Sequence, residues 1–411
     1  MNHVKTATAV PAALLVCACV SPPPPPDLAE QAQRIAQNNL IIDTHIDVPF
    51  RLHRNAADVG SATEDGDFDH PRARAGGLNA PFMSIYIPAK VDEAGGAFEL
   101  AEQLIDSVEG LAAAHPDKFA VATCSRDVEI QFHQNLVSLP MGMENGAPIG
   151  GKFGTLQHFF ERGIRYITLA HSKSNHISDS SYDTNEAWQG LSSFGKSLIS
   201  EMNRLGVMID VSHVSDKAFW QVLDLSATPV LATHSSLRHF TPGFQRNMSD
   251  EMVVAMASKG GVIQINFGSS FLHEDAQAYG KARTAAVRAH ASANHLADDD
   301  PALRTFFAAY TAEHPYPFAN VDTVLDHIDR VVELAGVDAV GIGSDYDGVG
   351  DSLPIGLKDV ATYPNLIRGL LERGYTEADI VKILGGNTLR VWRAIEGYAQ
   401  SKGTEPICAA G

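Results

Sequence analysis

Short runs of apolar and β-branched residues recur along this chain, and each is followed by a connection and then by apolar positions at helical spacing. The runs at residues 40–43, 82–87, 119–122, 136–141, 166–169, 207–211, 230–232, 262–266 and 339–342 have the length and composition of buried strands. Helical periodicity marks residues 97–114, 194–205, 216–223, 250–258 and 321–334, and three more helices close the chain at 363–373, 376–384 and 387–395. Short strands alternating with helices predict a parallel sheet, because every parallel pair needs a crossover. Eight or nine such units in this length predict an α/β fold, a (β/α)8 TIM-like barrel rather than an open doubly wound sheet. No Gly-x-Gly-x-x-Gly follows the first strand, so the usual dinucleotide fingerprint is missing. Two stretches interrupt the rhythm. Residues 55–79 are polar and Gly-rich and read as a loop over the first strand–helix junction, and residues 268–318, rich in Ala and His, read as an inserted helical segment suited to a lid.

The first residues read as a targeting segment. Lys5 precedes an apolar stretch from Ala7 to Val20 that is too short for a bilayer-spanning helix. Val16-Cys17-Ala18-Cys19 resembles a lipoprotein cleavage box with Cys19 as the lipid acceptor, although Val16 stands where Leu is usual and Cys17 is bulky. A plain secretory signal cut nearby is the alternative. Pro22 to Pro26 follow as a stiff extended spacer. The chain thus divides into a signal or lipoprotein segment (1–19), a Pro-rich linker (20–37), a barrel with its insertion (38–398) and a tail (399–411). Either route exports it, as a periplasmic protein or a membrane-anchored lipoprotein of a bacterium. Cys124 and Cys408 remain; an oxidising compartment would let them pair, but two cysteines establish neither a bridge nor a Cys-x-x-Cys metal site. A net charge of −18 argues against nucleic acid as a partner.

Chemistry enters at the strand ends. The first run delivers His45 and Asp47 two residues apart, hence on one side of an extended chain, before Pro49 stops the ladder. Later runs end in Met141-Gly142-Met143-Glu144, Leu169-Ala170-His171, Val211-Ser212-His213, Ala232-Thr233-His234 and Gly343-Ser344-Asp345-Tyr346-Asp347. A barrel of this type gathers the carboxyl ends of its strands around one pocket, so these groups converge. Singly each His is as easily a core or loop residue; together they read as ligands for divalent metal. Glutamate has two oxygens and can bridge two cations, and paired cations acidify a shared water and polarise a carbonyl, which is hydrolytic chemistry.

These motifs, with Asp43-Thr44-His45-Ile46-Asp47, Glu144-Asn145-Gly146, Asp210-Val211-Ser212-His213, Thr233-His234-Ser235-Ser236, Arg246-Asn247 and Gly385-Gly386-Asn387, resemble the membrane (renal) dipeptidases, peptidase family M19, in order and over roughly residues 40–395. The resemblance implies a dipeptidase with two Zn2+ per chain: His45 and Asp47 on one ion, His213 and His234 on the other, and Glu144 bridging both. It implies His171 near the substrate carbonyl, Asp345 beside the attacking water as base or as anchor for the substrate amine, and Arg246 on the free C-terminal carboxylate, where a planar fork suits a bidentate partner. A surface charge ahead of a helix is the plain alternative for Arg246, and Asp347 reads as structural. Many related barrels carry His-x-His and a carboxylated lysine; Asp47 and Glu144 stand in their place here, which favours the dipeptidase branch. Gly268 departs from the pattern, since an aromatic, often Tyr, is expected there. No apolar tail follows Cys408, so the C-terminal lipid link of the animal enzymes is not expected. The expected partners are a small dipeptide, lipid through Cys19 and, in a homodimer, a second copy. Two readings compete: a related barrel hydrolase acting on N-acyl amino acids, lactones or β-lactams, and a lipoprotein with a closed structural zinc, which would need neither Asp345 nor His171.

Overall fold

Eight strands close into a parallel barrel, and two more lie outside it. In chain order the strands are β1 (Ile41–Ile46), β2 (Leu78–Tyr86), β3 (Phe119–Val121), β4 (Val137–Leu139), β5 (Met141–Glu144), β6 (Ile164–Thr168), β7 (Met208–Asp210), β8 (Leu231–Ser235), β9 (Val262–Ile265) and β10 (Val340–Ile342). The barrel order is β1-β10-β9-β8-β7-β6-β5-β2, the (β/α)8 arrangement predicted from the strand–helix rhythm. This is a computed structural model, and it describes residues 1, 3–8, 27–297 and 299–409. The cleavage box with Cys19 and the proline run fall outside the described residues.

Three details differ from the pattern read off the chain. The run at 136–141 is two strands: Pro140 has no N–H for a ladder, so β4 pairs with β3 in a separate two-stranded sheet, and β5 enters the barrel after the proline. The 119–122 run is therefore not a barrel unit. Residues 55–79 are not all loop: they hold a helix at His70–Gly76 and the first residues of β2. Asp69 caps that helix by accepting from Arg72 N–H at 2.9 Å, and Gly77 ends it at φ 78°. Finally, a helix at Leu28–Asn38 occupies part of the span read as linker; its Ala32, Ile35 and Ala36 are buried, and it packs on the helix Tyr363–Glu372.

The barrel is filled by side chains. Ile42, Phe82, Tyr166, Met208, Leu231 and Val262 form one buried cluster with Val391, Trp392 and Ile395 of the helix Asn387–Ser401. Phe82 touches both Tyr166 and Trp392, at 5.5 and 5.2 Å between rings. Gly142 makes room for this layer, since a Cβ there would sit 2.0 Å from the Tyr166 ring. Cys124 and Cys408 form a disulfide that ties the tail to the start of the helix Ser125–His133. The inserted segment forms helices Ser269–Leu272, Glu274–Ala293 and Pro301–Glu313, the last burying none of its residues.

His327, in the helix Val321–Ala335, is fully buried and joins the insertion to the barrel. Its Nδ1 accepts from Leu237 N–H at 3.0 Å and its Nε2–H donates to Leu272 O at 2.9 Å, which requires the neutral ring. Burial lowers its pKa from 6.5 to about 4, a difference of roughly 3 kcal/mol. The unfolded chain protonates here as pH falls through 6.5 while the folded chain does not until about 4. The stabilisation is thus complete above pH 6.5 and declines toward pH 4. In urea denaturation, His327→Gln, which can keep one donor and one acceptor, should lose about 2–3 kcal/mol less than the parent between pH 7 and 4.5. An identical pH dependence in the two proteins would remove His327 from this role.

Candidate active site

The three-residue extensions beyond strand ends repeat around the barrel: His171 follows β6, His213 follows β7 and Asp345 follows β10, each by three residues. His45 lies within β1, Asp47 just after it, Glu144 ends β5 and His234 lies within β8. They meet on Glu144. Its Oε1 stands 3.1 Å from His213 Nε2, 3.2 Å from His234 Nε2 and 3.5 Å from His171 Nε2, while its Oε2 stands 3.6 Å from His45 Nε2. His45 Nε2 is also 3.5 Å from Asp47 Oδ2. Asp345 joins His45 and Asp47 in one group, Glu144 joins His45 and His234 in a second, and Glu144 joins His171 and His213 in a third; within each, the ligand atoms lie within 4.8 Å.

Two buried carboxylates hold these loops. Asp210 accepts from Ser212 N–H at 2.9 Å, Thr233 N–H at 2.8 Å, Thr233 Oγ1–H at 2.7 Å and the Thr168 hydroxyl. Asp43 does the same for the other side, accepting from His45 N–H at 3.1 Å, Ser344 N–H at 3.0 Å and the Tyr363 hydroxyl. Between them they steady backbone that resists its own conformation. His213 and Asp345 have φ of 68° and 64°, a left-handed region that costs a non-glycine residue roughly 1–2 kcal/mol. Asn145 and Asp347, beside Glu144 and Asp345, are left-handed as well. Strain at this density marks places where the surrounding structure dictates side-chain direction.

The same bonds set ring tautomers. Thr233 Oγ1 gives its proton to Asp210, so at 2.9 Å it accepts from His234 Nδ1–H. His234 Nε2 is then an unprotonated acceptor aimed at a carboxylate oxygen and, at 2.8 Å, at His213 Nε2. Burial, then Arg246 and His171, hold His213 well below the ordinary imidazole value; burial, then His45 and Arg246, do the same to His234. Burial opposes ionisation of Glu144, yet His171, His45, His213 and His234 keep its carboxyl well below the usual range. His213 and His234, neutral imidazoles beside an ionised carboxylate, make a set of acceptors with too few protons, whereas against its burial Tyr166, Glu144 and Asp47 hold His45 well above the ordinary imidazole value. His45 Nε2 and Asp47 Oδ1 are buried with no hydrogen-bond partner among the described residues. That donor set of neutral imidazole and carboxylate fits divalent cations of the zinc type.

A cavity of 750 Å³ opens above this cluster, lined by Asp47, Glu144, His171, His213 and Asp345 and walled by Tyr86, Tyr182 and Phe271. Tyr86 stands edge-on to His171 at 4.8 Å, and Asn266 Nδ2 donates to Asp345 Oδ2 at 2.7 Å. The sequence profile of the membrane dipeptidases, peptidase family M19, matches residues 29–405. The chain belongs to this family. It is a metal-dependent hydrolase of dipeptides. Dipeptidase 3 of Mus musculus is 31% identical over 394 residues, which cover 93% of this chain and 70% of that protein. An uncharacterised dipeptidase of Schizosaccharomyces pombe is 29% identical over 383 residues, 89% of this chain and 83% of that one. Among solved structures, the probable dipeptidase PvdM from Pseudomonas aeruginosa superposes with a TM-score of 0.78 at 28% identity, covering 90% of this chain and 99% of that one. A metallo peptidase from Rhodobacter sphaeroides, liganded with a phosphinate mimic of the dipeptide L-Ala-D-Ala, gives 0.71 at 25% identity, covering 87% and 100%.

Among the family residues read from the sequence, His45, His234 and Arg246 do not line the cleft; the two histidines lie against Glu144, and Arg246 bonds to β8. Arg246 is no surface charge: it is 3% exposed, donates to Ser235 Oγ and to His234 O, both at 2.7 Å, and stacks 5.2 Å over Phe271, which does line the cleft. Asp347 exchanges hydrogen bonds with Asp67 and meets Arg51 at 3.2 Å, fastening the 345–348 loop to the loop ahead of His70. Gly268 could not become an aromatic as the chain stands, because a Cβ there would lie 2.9 Å from both Phe271 and Val349. Tyr86, Tyr182 and Phe271 went unnoticed in the sequence, and so did the framing roles of Asp43, Asp210 and Asn266. A signal for the carboxylates existed: each is a charge inside an apolar strand run.

Gly348 closes the site from the backbone side. A Cβ there would stand 2.2 Å from both Asp345 Oδ1 and Asp47 Oδ2. Gly348→Ala should displace these two carboxylates and lower kcat/KM by around 10²-fold, the usual cost of misplacing reacting groups by an ångström, with circular dichroism and Tm near those of the parent. Activity close to the parent's would show that neither carboxylate needs its present position.

Proposed function

We propose that this chain is an exported, binuclear zinc dipeptidase that cleaves the peptide bond of free dipeptides. The observation that carries this reading is the division of Glu144, one oxygen toward His45 and the other toward His213 and His234. On this reading His45 and Asp47 would hold one ion, His213 and His234 the other, and Glu144 would serve both. When bound, the two cations supply Lewis acidity that acidifies water and polarises a carbonyl. The remaining chemistry belongs to the chain. Asp345, held by Asn266, takes a proton from the attacking water and returns one to the leaving amine. His171 donates to the carbonyl oxygen as negative charge develops there. Arg246, with its Nε unpartnered, receives the substrate carboxylate. The phosphinate dipeptide mimic on the Rhodobacter sphaeroides relative supports a free dipeptide as substrate. The Cys124–Cys408 disulfide supports an oxidising compartment and therefore export. No helix among the described residues is long and apolar enough to cross a membrane; on this reading lipid at Cys19 attaches the chain.

The zinc-loaded protein should hydrolyse free dipeptides and leave N-acyl amino acids, lactones and β-lactams largely untouched; the reverse preference would replace the dipeptidase reading by that of a related hydrolase. Asp345→Asn keeps shape and can keep the Asn266 contact while removing the base. It should retain nearly normal zinc by elemental analysis and lose about 10²-fold or more in kcat. Turnover near the parent rate would transfer the role of base to His171.

Arg246 is tested by the substrate rather than by the variant alone, since its bonds to Ser235 and His234 also steady the site. Arg246→Ala should reduce kcat/KM for free dipeptides by about 2–5 kcal/mol, the cost of leaving a buried charge unpaired. C-terminally amidated dipeptides, already poor substrates, should lose little more. Equal losses on both would give Arg246 a purely structural part.

A further inference from the structure

A second cavity, of 500 Å³, adjoins the active-site cleft, and Tyr182 and Ser270 line both. One wall is a face of the inserted helix Glu274–Ala293: Gln277, Lys281, Thr284 and Arg288 recur at three- and four-residue spacing. Gly280, on the same face, borders open space: a Cβ there would meet nothing within 4 Å. Lys281 and Arg288 are the charged residues of the lining, and no carboxylate accompanies them, although the chain as a whole carries −18. Among the described residues their side chains form no ion pair or hydrogen bond. Two cations gathered without counter-charge beside a substrate cleft present a local field that favours an anion.

The position of this cavity relative to the substrate follows from three rings. Phe244 lines it and lies 6.0 Å from Tyr182 and 5.7 Å from Phe271, and Phe271 carries the Arg246 guanidinium at 5.2 Å. The cavity therefore adjoins the Arg246 side of the cleft. If Arg246 receives the substrate carboxylate, as the dipeptidase reading on which this rests has it, the substrate's C-terminal residue is the part next to the cavity. We infer that the inserted helix builds a specificity pocket for an anionic side chain on that C-terminal residue, with Lys281 and Arg288 as its determinants. Both cations are exposed at the cavity rim, so each is worth only the modest energy of a solvated ion pair, and together they give a preference of roughly 3- to 10-fold.

Glutamate and glutamine have the same shape and differ in charge, so Ala-Glu and Ala-Gln isolate the effect. With the zinc-loaded full-length protein, the ratio of kcat/KM for Ala-Glu to that for Ala-Gln should be about 3–10. The ratio should fall toward 1 in Lys281→Gln/Arg288→Gln and toward 1 in the parent at high salt, where exposed charges are screened. Because a ratio is read, a general loss of activity in the variant cancels. A parent ratio near 1, or a ratio that survives in the variant, overturns the pocket while leaving the dipeptidase reading intact. Failure to cleave Ala-Ala as well as both test dipeptides overturns the two together.

Discussion

A single buried carboxylate sets the terms for this structure. Glu144 is ionised within a barrel mouth, and the groups nearest to it are acceptors as much as donors: His234 Nε2 is unprotonated, and His45 Nε2 and Asp47 Oδ1 have no partner among the described residues. Burying ionised groups costs several kcal/mol that their mutual attraction repays only in part, so a fold that builds such a cluster must hold it together by other means. The restraint comes from one layer out. Asp43 and Asp210 each collect three or four donors, most of them from adjacent strand ends, and those bonds keep His213 and Asp345 in left-handed backbone. Electrostatic strain at the centre and conformational strain at its edge are both underwritten by the barrel's packed interior.

That arrangement separates positioning from access. The strands and their short extensions fix the ligand-type side chains, while the connections supply walls: Tyr86 from the end of β2, Tyr182 from the connection after His171, and Phe271 from the short helix that opens the insertion. Arg246 belongs to both layers, bracing β8 through Ser235 and His234 while its charge bears on His213 and His234. The insertion is anchored where it leaves the barrel, by His327 bonding Leu237 and Leu272, and is nearly free of burial farther out. Variation in such a segment changes what the cleft admits without disturbing what it does.

The strand–helix alternation and the polar residues at strand ends were legible because both are local properties. A barrel requires period and composition, and a ligand at a strand end requires only that an apolar run stop at a polar residue. What stayed hidden depends on neighbours distant in sequence. Pro140 splits one apolar run into two strands of different sheets, a decision made by which partner each half finds. The helix at Leu28–Asn38 has a clear apolar face at Ala32, Ile35 and Ala36, but its proximity to the proline run masked it. Arg246 has the identity expected of an anion receptor, yet only the fold shows that it is buried and already spends two donors on the protein. The cystine joins residues 284 apart, a pairing that two cysteines alone could not establish.

In the proposed site Glu144 would lie between two cations. Anomalous X-ray diffraction from crystals of the zinc-loaded protein, collected on both sides of the zinc absorption edge, addresses it directly. The account predicts two peaks about 3.5–4 Å apart, one beside His45 and Asp47, the other beside His213 and His234, with one Glu144 oxygen toward each. A single fully occupied peak closed by four protein ligands, or two peaks that Glu144 does not join, would contradict it.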